Sequence, residues 1–208
     1  MIGPEQFRQL RTWQVERLRE RYRDLGAIPS YRPAVRFFLE RLYGDRDFGD
    51  RDGQFQRAYP ILERTLPGRL LHTADRAWQL NQLSRDLDLR LAQVLFEEMD
   101  WRGPIEEQPY KAAFRHCDNK PERQRQLRLI EELGEDLFRA VRLPVLPSLL
   151  RMSRRPAQLA GFGELQGFLE EGFSAFRALG GSRRFLDIVL QREQLALDEG
   201  FQVPTASG

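Results

Sequence analysis

The chain has 208 residues, 41% of them hydrophobic and 31% charged, a balance too apolar for disorder, too charged for a membrane bundle and long enough for one domain with a substantial core. The formal net charge of +2 is the sum of alternating blocks, basic over 1–44 and 119–155 and acidic over 45–118 and 156–208, which points to faces that complement one another within the fold or in a dimer. A single cysteine, Cys117, excludes an intramolecular disulfide, and with neither an apolar signal core nor a run of ~20 apolar residues the expected location is cytoplasmic and away from membranes.

Apolar residues recur at three- and four-residue steps almost throughout, so the fold class is all-α. A first helix is predicted over 4–25, with Phe7, Leu10, Trp13, Leu18, Tyr22 and Leu25 near one face and Pro4 suited to its first turn. A second covers 32–43 through Val35, Phe38, Leu39 and Leu42. Asp50 is placed to cap a third, bearing Phe55, Tyr59 and Leu62. No glycine or proline falls between Gly68 and Gly103, so the 69–102 segment reads as a long central helix, with a break near Ser84 left open. A helix over 105–117 follows, then one from Asn119 to about Val141, where Asn119 and Glu122 have the spacing of a capping box. Pro144, Pro147 and Pro156 leave room for a short helix over 148–153 and mark a hinge. Two last helices, 164–179 and 182–197, flank Gly180-Gly181, with Ser182 as N-cap of the second. The expectation is a single-domain bundle of eight or nine helices over 1–200 with a frayed tail over 201–208.

The densest polar cluster, Asp45 to Gly53, invites a calcium-loop reading, but a loop starting at Asp45 puts Asp50 at the glycine position and Gln56 at the bidentate glutamate. His72 and His116 lack helix-borne metal spacing, and His116 and Cys117, adjacent on a helix, diverge by about 100°. Neither a metal nor a cofactor is expected. Phosphate-cradling glycine patterns are missing, and the glycines at 161, 163, 167 and 172 read as a helix stop and close approaches beneath an aromatic stripe that includes Phe173 and Phe176. Arginines on the first helix alternate with Glu5, Glu16, Glu20 and Asp24, the pattern of a salt-bridged solvated face rather than a phosphate track.

Phe37-Phe38-Leu39-Glu40-Arg41-Leu42-Tyr43-Gly44-Asp45-Arg46-Asp47-Phe48, followed by Arg51-Asp52, resembles a family of uncharacterised bacterial all-helical proteins with an FFL-x-x-LYG-x-x-DF-x-x-RD signature. Gly172 to Phe176, Gly180-Gly181 and Arg192-Glu193 are similar to the same family's second block. The resemblance implies a helical fold and carries no catalytic or binding residue.

A non-enzymatic interaction or regulatory protein ranks first, with a protein partner or self-association. An enzyme of unrecognised type with a buried polar-lined pocket ranks second. Third is a nucleic-acid binder, which would need a continuous basic face. The predicted interaction surface is the turn carrying Tyr43, Arg46, Asp47, Asp50, Arg51 and Asp52, because a plain helix connection does not require such a density of aromatic and charged groups.

Overall fold

Pro4 has no N–H to leave unpaired in the first turn, and the Gly3 N–H donates to the Gln6 side chain at 3.0 Å, so the chain enters helix at once. The computed structural model describes residues 2–42, 49–65 and 68–202. Helix α1, Pro4–Arg21, buries Leu10 and Val15. The first predicted helix does not run unbroken to Leu25: Tyr22 leaves helical geometry at φ −106° and ψ 12°, and a separate five-residue α2, Arg23–Ala27, comes next. Helix α3, Arg32–Phe37, carries Pro33 in its first turn and passes into a π-helical turn, Phe38–Leu42.

Helix α4, Gly49–Thr65, takes Pro60 into its interior, and Asp50 falls inside its first turn instead of capping it. The central segment forms α5, Gly68–Gln93, which continues into a π turn, Val94–Glu98. Ser84 lies within α5, and the chain leaves the helix at Asp100, whose φ of +52° is one that aspartate tolerates better than most residues. Helix α6 is Glu107–His116 and α7 is Lys120–Ala140. Asn119 stands at the N-cap of α7 without a side-chain cap bond, so the expected capping box is not formed.

Helix α8 departs furthest from the sequence expectation. It spans Leu146–Leu159, with Pro147 in the first turn and Pro156 inside, where a short helix over 148–153 was expected. Its end is set by Gly161 at φ +77°, with the Phe162 N–H donating to the Ala157 carbonyl at 2.7 Å, the bond of a Schellman stop. Helix α9 is Gly163–Ala178, and α10 is Arg184–Phe201 with Arg183, not Ser182, as N-cap. The described residues form ten α-helices in an all-α fold, one more than the upper expectation because the first is cut in two. The tail over 203–208 lies outside the described residues.

Two apolar clusters organise these elements. In one, Tyr22, Leu25, Val35, Leu39, Phe138, Phe185 and Val189 bring α2, α3, α7 and α10 together. In the other, Leu10, Leu91, Val94, Leu95, Phe96, Tyr110 and Ala113 join α1, the end of α5 and α6. Leu10, Leu91 and Leu95 are fully buried, each stabilising by roughly 1.5–3 kcal/mol relative to exposure. Helix α7 packs along both α5 and α10. The aromatic stripe of α9 joins this interior: Phe176 meets Phe138 edge-on at 5.8 Å, and Phe168 lies 5.1 Å from Phe37.

At Gly172 α9 lies close against α3, since a Cβ there would stand 2.9 Å from Cζ of Phe37. Alanine is the better helix former by about 0.5–1 kcal/mol, whereas overpacking costs about 1–3 kcal/mol, and a ring wedged beside Phe168 yields little. Gly172→Ala is therefore expected to lower stability by about 1 kcal/mol in denaturant unfolding; a gain would show that the α3–α9 seam is loose.

Candidate functional site

Of the predicted interaction surface, Tyr43, Arg46 and Asp47 lie outside the described residues. Asp50, Arg51 and Asp52 belong to the first turn of α4, and their side chains also lie outside the description. Helix α9 packs against both α3 and α4, the helices on either side of that turn, and Arg41 pairs with Glu171 at 2.8 Å. Phe176 is spent on the core, while Phe173 carries the guanidinium of Arg177 at 5.9 Å.

Two groups of arginines stand on α1 and at the start of α2. Arg8, Arg19 and Arg23 pair with Glu5, Glu16 and Glu20 one turn away, a solvated face worth little to stability. Arg17 and Arg21 instead line a cleft of about 120 Å³ between the two apolar clusters, together with Gln14, Asp88, Tyr110, Phe114, Arg123, Gln126, Leu127, Glu193 and Leu197. Five helices contribute, so no local motif could have announced it. One wall is a clasp on the break between α1 and α2. Glu193 accepts from Arg21 at 2.9 Å and from the Tyr22 hydroxyl at 2.5 Å. Its neighbour Arg192 donates to the Arg21 carbonyl at 2.7 Å and grips both Asp24 carboxylate oxygens at 2.7 and 2.6 Å.

The cleft also holds buried polar groups. Asp88, 8% exposed, accepts from Gln14 at 3.1 Å. Arg123, 9% exposed, lies over the Phe114 ring at 5.0 Å. Its bonds to Gln126 and the Leu87 carbonyl are long, 3.4 and 3.5 Å, and its Nε is buried without a partner. Neither histidine nor Cys117 lines the cleft. His116 instead meets Glu98 at 3.2 Å, and burial pushes the Cys117 thiol up, against the opposing pull of Arg123 and Arg90. Among the described residues no group of three His, Cys, Asp or Glu side chains is placed to hold a metal, and no helix is long and apolar enough to cross a membrane.

A second feature lies on α8 and its N-cap, Val145, whose backbone is already helical at φ −75° and ψ −26°. Leu159, Met152 and Val145 are 91%, 77% and 57% exposed, the three most exposed large apolar side chains among the described residues. They are spaced seven apart, so they point within about 20° of one direction. No residue of α8 is buried. Polar groups tie the helix to α9: Arg154 grips Glu170 at 3.0 and 2.6 Å, and buried Gln166 donates to the Leu150 carbonyl at 2.7 Å while accepting from Ser153 at 3.1 Å.

A protein-family profile described as a domain of unknown function (DUF8198) matches residues 3–205. The chain belongs to the DUF8198 family. No curated protein and no solved structure matches it. The DUF8198 match spans both blocks that carried the sequence resemblance, and in this DUF8198 chain one pair from the second block, Arg192-Glu193, forms the clasp.

Arg192 holds the Asp24 carboxyl down to about 2 from its ordinary value, chiefly by hydrogen bonding. A depressed carboxylate contributes stability in full above its unfolded pKa and loses it as pH falls through the folded one. Arg192→Met is expected to cost about 1 kcal/mol at neutral pH, because solvent screens the exposed Asp24 carboxylate and the bond to the Arg21 carbonyl is the better shielded one. The gap between wild type and variant should then narrow between about pH 4 and pH 2 in denaturant unfolding; a gap independent of pH would remove Asp24 from the clasp.

Proposed function

We propose that this protein works by binding a protein partner, and that the contact surface is the outward row of α8. The observation that carries the reading is the placement of the three most exposed large apolar side chains on one helical row, since contiguous exposed apolar surface on a folded protein marks contact sites. Leu149 and Pro156 fill the intervening positions, so Val145, Leu149, Met152, Pro156 and Leu159 follow the alternating three- and four-residue spacing of a coiled-coil seam. An interfacial membrane helix presents a wider apolar face than this single row.

Charge selects the occupant. Arg151, Arg154 and Arg155 are the only charged residues of α8, and Arg151 and Arg155 flank the seam. A second copy docked symmetrically would set like charges against each other. A partner helix with an apolar seam flanked by Asp and Glu suits both features. The charge-free centre of the row also speaks against a nucleic-acid track, where basic groups would have to lead.

The test uses helical peptides with one leucine seam, flanked either by glutamates or by lysines, together with anionic lipid vesicles. Titration calorimetry is expected to detect the acidic peptide alone, with affinity falling as salt rises. Met152→Glu with Leu159→Glu should abolish binding while changing stability by no more than about 0.5 kcal/mol, as for ordinary surface changes. Equal binding of both peptides, binding to vesicles, or concentration-dependent self-association lost in the double variant would each overturn the reading.

A further inference from the structure

A charged guanidinium withdrawn from water costs several kcal/mol unless it is paired and its donors are satisfied. Arg123 violates this rule inside the cleft between the two apolar clusters. It is nine-tenths buried, makes two hydrogen bonds at the long end of the range, and leaves Nε without a partner. Among the described residues it forms no ion pair, although two carboxylates, Asp88 and Glu193, line the same cleft. Glu193 is committed to Arg21 and Tyr22, and Asp88 takes the Gln14 amide. Arg17, on the facing helix, approaches Glu107 only at 3.4 Å and spreads over Tyr110 at 5.1 Å.

We infer that the cleft is a binding site for a small organic monocarboxylate, anchored on Arg123 with Arg17 as the second cation. The lining has three guanidiniums against two carboxylates, and Glu107 at its margin is shared between Arg17 and Lys111, so one positive charge is left in excess, which suits a singly charged ligand better than a phosphate dianion. A planar carboxylate also matches guanidinium geometry. Phe114, Leu127 and Leu197 form the wall on which an apolar body would lie. About 120 Å³ holds several times the one probe sphere that a water needs, and so has room for a compact molecule. An ordered water at Arg123 Nε would satisfy that donor without any ligand, and the experiment separates the two. This site is independent of the α8 surface.

The full chain is melted in the presence of straight-chain monocarboxylates from acetate to hexanoate, with inorganic phosphate and chloride at matched ionic strength. The expected result is a melting temperature that rises with carboxylate concentration and with chain length, by about 5–11 °C at a hundred times the dissociation constant. Arg123→Met removes the buried charge while keeping the stem. Its unliganded form should melt no lower than wild type, and the carboxylate response should vanish. Should Arg123→Met fail to fold, Arg17→Gln gives the same comparison, with a weakened response expected. A wild-type chain indifferent to every carboxylate would mean a water-filled cleft and would overturn the proposal. Phosphate or chloride acting as well as the carboxylates would do the same, as would an Arg123→Met chain that melts lower yet responds like wild type.

Discussion

The arrangement turns on one contact between chain segments about 170 residues apart, the grip of Arg192 and Glu193 on the break after α1. At Tyr22 the first helix stops, which sends Leu10 into one apolar cluster and Tyr22 with Leu25 into the other. The helix ending at Arg21 would leave its last carbonyls unsatisfied, and Arg192 answers the Arg21 carbonyl directly. Glu193 then takes the side chains of Arg21 and Tyr22. Both clusters meet at this junction, and the cleft is the space that two separately closed cores leave between them.

Periodicity made the helices legible because most of them bury one face. On the central helix Leu87, Leu91 and Leu95, four residues apart, are buried, as is Leu70. Met99, the next position at that spacing, is 38% exposed. The π turn over Val94–Glu98 adds a residue to the turn and rotates the positions beyond it, which a constant period cannot register. The same limit applies at Tyr22, whose neighbours read as continuous helix and whose departure depends on a side chain from the far end of the chain.

The cleft was illegible for a related reason. Arg17, Asp88, Arg123 and Glu193 come from four helices, and each fits locally as one more charged residue on an amphipathic surface. Only their convergence is informative, and convergence is tertiary. The row on α8 was present in the sequence at 145, 152 and 159, but three prolines nearby favoured a hinge. Pro147 is harmless in a first turn, and Pro156 removes a single donor from a helix whose surface is already wet. The polar turn at 43–52 drew attention by composition, and the structure brings α9 beside the helices that flank it.

The attachment of α8 has a kinetic meaning as well as a geometric one. None of its residues is buried, and its anchors to α9 include an exposed ion pair and bonds to one glutamine. Detaching such a helix uncovers no fully buried side chain of its own, so its opening free energy is expected to lie below that of the two cores. Its backbone amides should exchange through local opening while those of α5 and α7 wait for global unfolding. A helix on such terms with its own domain can be bent or lifted by whatever docks on it, without disturbing the rest of the fold.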